Sequence, residues 1–186
     1  MKTLLGLALA LSACAAAQAA TYRIDPAHTY VTFEIDHLVS TNRGRFDKKE
    51  GTVEFDAQAK TGKVDLTLDT SSINTGLAAF NKHLQGKDFF HVEQFPSARF
   101  TADNFVFEGD KLSEVRGTLT LVGKSHPVKV KALRFHCLPN AMLQREVCGG
   151  DFEATIERSQ WGIDWGIQRG YPDTVRLVIQ VEAIKQ

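Results

Sequence analysis

The chain has 186 residues, of which 43% are hydrophobic and 24% are charged, and its 22 basic residues balance its 22 acidic residues. This length fits one globular domain, or two at most, and the balanced charge offers no basic surface to nucleic acid, so we expect no nucleic-acid partner. Twelve Phe stand against three Tyr and two Trp. Because Phe has no polar group, this choice of aromatic residue indicates apolar volume rather than a hydrogen-bonding surface.

Residues 1–20 have the pattern of a secretory signal peptide. A lysine at the second position precedes an uncharged apolar run at residues 4–13, and the small residues AQA at 17–19 match a cleavage site. The run is too short to span a bilayer as a helix. We therefore predict a mature domain of residues 21–186 in a periplasmic or secreted protein. A lipoprotein anchored at Cys14 stays open as an alternative, because the tetrapeptide LSAC that ends at this cysteine resembles a lipobox.

Hydrophobic and polar residues alternate along most of the mature chain. The alternation is clear at residues 31–35, 64–68 and 152–156, and it is longest at residues 175–183. A period of two is typical of half-buried strands. Counting from Tyr22, the pattern predicts eight or nine strands, most of them joined to their neighbours in sequence, which indicates an antiparallel meander.

Turn residues and changes of parity mark the strand ends and their irregularities. Glu108-Gly109-Asp110 and Gly123-Lys124-Ser125 predict tight turns between neighbouring strands. The runs at residues 98–107 and 128–135 each change parity midway, so that their second half would face away from the first. One extra residue restores the pattern, and each run therefore predicts a β-bulge.

One stretch has helical spacing. Leu77, Phe80 and Leu84 lie three or four residues apart after a turn-forming segment at residues 71–76, and the pattern ends near Gly86. A meander with one helix must stack two sheets or close on itself, and closure removes exposed strand edges. We expect an all-β fold, an antiparallel eight-stranded barrel with one short helix near one end. The interior of such a barrel is either filled by side chains or holds one small ligand.

Two cysteines remain after removal of the signal peptide. Cys137 and Cys148 are separated by ten residues that include the turn-forming Pro139 and Asn140. In an oxidising compartment such a pair predicts a disulfide that closes a loop between strands, and a ring of this size stabilises a fold by about 3 kcal/mol. No other His or Cys spacing completes a four-ligand set, so we expect no metal site.

Two further clusters each have two interpretations. Trp161, Trp165 and Tyr171 lie among glycines before the last strand, in a loop that either packs against the barrel end or forms a rim that meets a membrane surface or a ligand head group. The basic run at residues 43–49 either attracts an anionic head group or is a solvated hairpin, and Asp47 within it reduces its charge. Transient contact with a membrane surface is thus a further expectation.

Four blocks, in order, resemble the signatures of the YceI-like family of polyisoprenoid-binding proteins. They are YRIDPAHTYVTFEIDHL from Tyr22, SSINTGLAAFNKHLQGKDFFHVEQFPSARF from Ser71, GTLTLVGKSHPVKVKA from Gly117 and ERSQWGID from Glu157. The match runs over nearly the whole mature chain. The resemblance implies a lipocalin-like barrel in a secreted or periplasmic setting, with a long apolar chain bound along its axis. An isoprenoid lipid or an isoprenoid quinone is the implied partner.

The candidate ligand-binding residues are inward positions of the strands, the apolar face of the helix and the two phenylalanines that follow it. They are Phe33, Ile35, Leu66, Leu68, Phe80, Leu84, Phe89, Phe90, Phe100, Leu119 and Leu121. A helix over one end of the barrel would present its apolar face to the interior as a lid. The same residue types also pack a core, so ligand contact and core packing stay open for each of them.

The sequence shows no catalytic constellation. It has no nucleophile elbow, no HExxH pair and no phosphate-binding glycine loop, and its six His stand apart along the chain. We predict a protein that is not an enzyme, needs no cofactor, and binds, carries or stores an isoprenoid lipid in the bacterial envelope. The first alternative is a filled barrel that acts as an interaction or stress-related protein without a small ligand. The second is an enzyme acting on isoprenoid lipids.

Overall fold

The computed structural model describes residues 19–186, so most of the predicted signal peptide and the lipidation alternative at Cys14 lie outside the described residues. The described part contains eleven strand segments and one α-helix, α1 (Ala78–Leu84). The strands are β1 (Ala20–Ile24), β2 (Tyr30–His37), β3 (Ser40–Phe46), β4 (Lys49–Asp56), β5 (Thr61–Asp69), β6 (Ile73–Asn74), β7 (Ser97–Glu108), β8 (Lys111–Leu121), β9 (Lys124–Asn140), β10 (Arg145–Glu157) and β11 (Thr174–Lys185).

The eleven segments occupy eight positions in one closed sheet. β1 and β2 share a position, since both pair antiparallel with β11, Ile24 opposite Ala183 and Tyr30 opposite Gln180. β3 and β4 share the next position, because β3 pairs with β2 and β4 pairs with β1. β5 and β6 share the position after that, because β6 pairs with β3 and β5 pairs with β4. The remaining strands pair with their sequence neighbours, and β11 closes the ring. The predicted antiparallel eight-stranded barrel with one short helix is confirmed.

A side chain bridges the break between β1 and β2. Thr29 is completely buried, and its hydroxyl donates to the carbonyl oxygen of Glu182 and accepts from the N–H of the same residue, both at 3.2 Å. The carbonyl oxygen of Glu182 also accepts from the backbone N–H of Asp25 at 2.8 Å, and the hydroxyl adds a partner for the N–H of Glu182 where the strand is interrupted. This allows two short segments to act as one strand of the barrel.

Both predicted bulges are present. The β7–β8 register shifts between Ala102 and Asn104. The β9–β10 register shifts between Asp151 and Phe152, where Leu133 is the extra residue and is 51% exposed. The bulges keep hydrophobic residues on both sides of the irregularity facing the interior, which accounts for the change of parity in the sequence.

One predicted turn is confirmed and the other is displaced by one residue. Gly109 and Asp110 connect β7 to β8. The next turn consists of Val122 and Gly123, whose φ angles are 48° and 71°, so Lys124 already belongs to β9. Two successive positive φ angles define the type of tight hairpin turn whose twist matches that of the flanking strands.

α1 lies at one end of the barrel, here called the helix end. Because successive strands run in opposite directions, the β2–β3, β5–β7, β8–β9 and β10–β11 connections all lie at this end. Leu84 is buried and ends the helix, which is shorter than the predicted extent to Gly86, and Leu77 is 62% exposed rather than part of the inward face. No helix among residues 19–186 has the length and hydrophobicity to cross a membrane.

The predicted disulfide is present at the opposite end of the barrel. Cys137 on β9 and Cys148 on β10 are direct cross-strand partners and are bonded. The pairing of β8 with β9 ends at Lys131, so the outer part of the β9–β10 hairpin continues beyond β8. The disulfide joins the two strands where this support on one side is missing.

Candidate ligand-binding cavity

The barrel encloses an apolar cavity of about 380 Å³. This volume lies in the range of small-molecule sites in proteins. All eleven candidate residues line it: Phe33, Ile35, Leu66, Leu68, Phe80, Leu84, Phe89, Phe90, Phe100, Leu119 and Leu121. Their position on the wall is therefore established, while their contact with a ligand stays a prediction.

The strand register explains why these residues share the inner face. Leu66 lies opposite Phe100, and Phe100 lies opposite Leu119, which forms an apolar row across three neighbouring strands. On the far side of the barrel Phe33 lies opposite Leu177. Residues directly opposite each other in an antiparallel pair point to the same face of the sheet, so one inward residue fixes the orientation of its partners.

The segment from α1 to β7 covers the helix end. Phe80 and Leu84 line the cavity from the helix, and Phe89 and Phe90 line it from the segment that follows. The ring of Phe90 meets that of Phe46 on β3 edge to face, with centroids 5.4 Å apart. The segment that follows the helix is thus attached to the barrel wall by an aromatic contact, while the apolar face of the helix forms part of the ceiling.

Five aromatic rings, here called the aromatic rim, follow one another at the helix end. Their centroids are separated by 5.4 Å from His37 to Tyr171, 5.6 Å from Tyr171 to Trp165, 5.3 Å from Trp165 to His83 and 4.8 Å from His83 to Phe89. All five line the cavity, and the His83 side chain is exposed. The cavity therefore reaches the surface at the rim.

Buried residues close the opposite end of the cavity, here called the floor. Tyr22, Phe55, Cys148 and Ala183 line the cavity there and are at most 6% exposed. Phe55 stacks on Phe107 and meets two further phenylalanines, with ring centroids 5.1 to 6.4 Å apart. Four of the twelve Phe of the chain thus pack together at the floor.

The hydroxyl of Tyr22 forms the polar contact of the floor. It donates a hydrogen bond of 2.6 Å to Glu146, whose carboxylate also lies 3.3 Å from the ammonium group of Lys185. Burial and the neighbouring carboxylate raise the pKa of Tyr22 to about 12. The two partners of Glu146 hold its own pKa below the ordinary value.

Several residues of the wall were not among the candidates. The alternating residues of β11, Val175, Leu177, Ile179, Val181 and Ala183, all line the cavity. Their period of two was visible in the sequence and could have added them. Phe55 and Phe105 were harder to recognise from the sequence. They lie at the floor, where the ends of several strands meet, and the order of the strands along the chain does not show which ends come together.

The two tryptophans have different positions. Trp161 is 1% exposed, and its Nε1 donates to the carbonyl oxygen of Leu119 at 3.1 Å. Trp165 belongs to the aromatic rim. The packed-loop interpretation therefore holds for Trp161, and the rim interpretation holds for Trp165 and Tyr171 as far as their position is concerned.

Arg158 organises the loop between β10 and β11. It is 6% exposed, and its Nε donates to the carbonyl oxygen of Pro172 at 2.9 Å. Its Nη1 donates to the carbonyl oxygens of Ile163 at 3.0 Å and Trp165 at 2.9 Å. Burial lowers the pKa of the guanidinium from its ordinary value. One side chain therefore ties three points of the loop that forms the rim.

The basic run lies on the outside of the barrel. Arg43 pairs with Glu34 at 2.8 Å and Arg45 with Asp47 at 2.7 Å, and neither arginine lines the cavity. The run is therefore solvated, as one of the two interpretations predicted. It lies along β3 and the start of β4, however, and not in a hairpin turn. Within residues 19–186 no three His, Cys, Asp or Glu side chains form a group suited to a metal ion.

A closed meander whose apolar cavity opens at one end defines a lipocalin-like barrel, the class of small β-barrels that enclose one ligand. The sequence model described as "YceI-like domain" matches residues 22–183. The chain therefore belongs to the YceI-like family, as its sequence blocks indicated.

Relatives and solved structures agree with this assignment. The proteins named "Protein YceI" of Salmonella arizonae and Salmonella newport are each 40% identical to the chain over 191 aligned positions, covering 100% of the chain and 98% of the relative. The Campylobacter jejuni YceI protein has a TM-score of 0.68 and 26% identity, with 82% and 90% of the two chains covered.

Two more distant structures show the same fold. Burkholderia cenocepacia BcnA has a TM-score of 0.73 at 24% identity and covers 86% of this chain and 98% of its own. A structure described as a polyisoprenoid binding domain from Saccharophagus degradans, implicated in plant cell wall breakdown, has a TM-score of 0.64 at 16% identity, with coverage of 90% and 99%.

Proposed function

We propose that the chain binds an isoprenoid lipid in the barrel and carries or stores it in the bacterial envelope. The observation that supports this most directly is the unfilled apolar cavity with a buried floor and an aromatic rim. The fold shared with a domain described as polyisoprenoid binding points to the same ligand class. Polyprenyl phosphates and isoprenoid quinones both belong to this class.

The volume of the cavity suits part of a long isoprenoid. A cavity of about 150 Å³ accommodates benzene, so the 380 Å³ found here scales to about 15 carbons, or three prenyl units. At about 0.8 kcal/mol for each buried carbon, these contribute about 12 kcal/mol before the costs of ordering the chain. A longer isoprenoid would extend out through the rim.

The helix end also carries exposed apolar side chains. Leu38 and Val39 at the β2–β3 turn are 88% and 100% exposed, and Leu77 before α1 is 62% exposed. Large apolar side chains that remain in water beside a ligand entrance favour contact with a partner or a lipid surface. We propose that this end touches a membrane while the lipid enters or leaves.

The cavity weakens the filled-barrel alternative, whose premise is an interior occupied by side chains. The enzyme alternative has no comparable support, since the wall is almost entirely apolar. We therefore propose binding without catalysis and without a cofactor. A periplasmic or secreted location remains our proposal on the basis of residues 1–20, and the intact mass of the mature chain separates cleavage near residue 20 from lipidation at Cys14.

Native mass spectrometry of the delipidated protein with farnesol, a prenol of three units, tests the proposal. We expect a complex of one prenol per chain. Leu66→Trp, which fills the cavity, should abolish it, whereas Thr67→Trp, on the outward face of the same strand, should not. Retention of farnesol by a folded Leu66→Trp protein, or no complex with the wild type, would contradict the proposed site.

A further inference from the structure

Among residues 19–186 the cavity wall contains one arginine and no lysine, and the histidines of the rim, His37 and His83, line it as well. Within residues 19–186, Arg158 is the only Lys or Arg that lines the cavity, at the helix end beside Trp165 of the rim. Two carboxylates line it as well. Asp36 is exposed beside the rim, and Asp65 accepts hydrogen bonds from Arg99 on the outer surface. Unlike these two carboxylates, the charged side chain of Arg158 is buried, and the wall around it is mainly apolar.

Part of the Arg158 guanidinium has no partner in the described protein. Three of its five N–H groups bind backbone carbonyl oxygens, through Nε and Nη1, and the two on Nη2 bind none of the described residues. The nearby Asp173 attracts Arg158 through space, but its two carboxylate oxygens accept their hydrogen bonds from the backbone N–H of Ser159 at 2.8 Å and from the Ser159 hydroxyl at 2.5 Å.

The unpartnered Nη2 group retains accessible surface, and Arg158 is a residue of the cavity wall. No fully enclosed side-chain nitrogen or oxygen of residues 19–186 lacks a hydrogen-bond partner, so Nη2 must retain accessible surface. Arg158 lines the barrel cavity but not the separate surface depression formed by Ser159, Asp173 and residues 164–169. As a wall residue, Arg158 is thus positioned to meet a molecule in the barrel.

A buried guanidinium with two free N–H groups favours an oxyanion. The carboxylates of Asp173 and Asp164 attract the guanidinium of Arg158 through space, but burial has the larger effect and lowers its pKa, so its charge is only partly compensated. A further opposite charge in an apolar site is attracted more strongly than in water. Guanidinium groups form strong, charge-assisted hydrogen bonds with phosphate and carboxylate oxygens. An alcohol or a quinone carbonyl would supply the hydrogen bond without the counter-charge.

We propose that Nη2 of Arg158 binds an acidic head group, a phosphate or a carboxylate, of an isoprenoid whose tail lies in the barrel. This inference rests on the proposed function and narrows the ligand to acidic isoprenoids. The position of Arg158 at the helix end leaves the cavity between it and the floor for the tail. The same arginine that shapes the loop then also selects the head group.

The test compares farnesyl phosphate with farnesol, which have the same tail, by isothermal titration calorimetry. A charge-assisted hydrogen bond predicts about 10- to 100-fold tighter binding of the phosphate by the wild type. Arg158→Gln should remove this preference, measured as the ratio of the two affinities within the variant, so that any general change in binding caused by the altered loop cancels, and Arg158→Lys should keep part of it. Arg169→Gln is the matched control, because Arg169 belongs to the same loop but is exposed over the Trp165 ring.

The possible results separate this inference from the proposed function. If farnesol and farnesyl phosphate bind the wild type equally, the inference fails and isoprenoid binding stands, whether or not Arg158→Gln folds. If neither binds, the proposed function fails. Loss of the preference in Arg169→Gln instead of Arg158→Gln would assign it to the surface charge. If inorganic phosphate binds as tightly as farnesyl phosphate, Arg158 is a site for free phosphate, and the proposal of a lipid head group is wrong.

Discussion

The ring of Phe33 on β2 lies directly over Gly44 on β3, its cross-strand partner. A Cβ atom at position 44 would stand less than 3.0 Å from two carbons of that ring, and 3.0 Å from a methyl carbon of Thr75. The missing side chain of Gly44 therefore allows the ring to lie against the wall. Because Phe33 lines the cavity, this contact helps to determine how much of the interior stays unfilled.

Gly44→Ala should push the Phe33 ring into the cavity. We expect a loss of about 1–3 kcal/mol of unfolding free energy, typical of overpacking, together with weaker farnesol binding. Denaturant unfolding and calorimetry measure the two effects. Adding Phe33→Leu to Gly44→Ala should restore much of both, and a double variant no better than the single one would show that the ring is not responsible.

The exposed tip of the β2–β3 hairpin should determine membrane contact. The double variant Leu38→Asp with Val39→Asp should reduce association with phosphatidylethanolamine and phosphatidylglycerol vesicles by about tenfold, since two apolar side chains lose their favourable transfer into the lipid. Vesicle flotation measures this. The control is Met142→Asp, because Met142 is 94% exposed at the opposite end of the barrel. Equal association of both variants would contradict a membrane-facing helix end.

The disulfide should stabilise the barrel without taking part in ligand entry. Replacing Cys137 and Cys148 with Ala should lower the free energy of unfolding by about 3 kcal/mol, because the unfolded chain regains the freedom of the closed loop. Reduction of the wild type should have a comparable effect in denaturant titrations. Binding of farnesol should persist in both, since the bond lies away from the rim. Unchanged stability after reduction would contradict this account.

Tyr22 should ionise late and set an alkaline limit to stability. Its pKa of about 12 in the folded protein exceeds its ordinary value of 10.0, so the folded state holds the proton more tightly than the unfolded state. This contribution to stability is complete below pH 10 and is lost as the pH rises towards 12. A tyrosinate absorbance titration should show a late phase.

Two variants assign that late phase. Tyr22→Phe should lack it, and Glu146→Gln should move it to lower pH, because a neighbouring carboxylate contributes to the raised pKa. A late phase that survives in Tyr22→Phe would belong to another group.

The regular parts of the barrel were predictable because their physical signal is local. Alternation places Phe33 and Leu66 on one face of their strands whatever the neighbouring strand is. Leu77 shows where such reasoning stops. Its spacing fits the helix face, yet it precedes α1 as the N-cap and stays in solvent. A spacing rule does not show where the first helical turn begins.

Other features depend on contacts between distant residues. The shared position of β1 and β2 requires Thr29 to meet Glu182, which is 153 residues away. Arg158 lies within a recognised sequence block, but arginine is rarely buried, and its burial follows from three carbonyl groups that converge only in the folded loop. No local pattern of the sequence specifies either contact.

The buried floor leaves the described part of the barrel with one entrance to its cavity. A guest whose tail enters first must leave head first by the same route. The membrane that supplies the lipid and the partner that receives it would therefore meet the same face of the protein, one after the other. Under the proposed function, such a molecule would act as a shuttle between successive encounters rather than as a continuous conduit from one membrane to another.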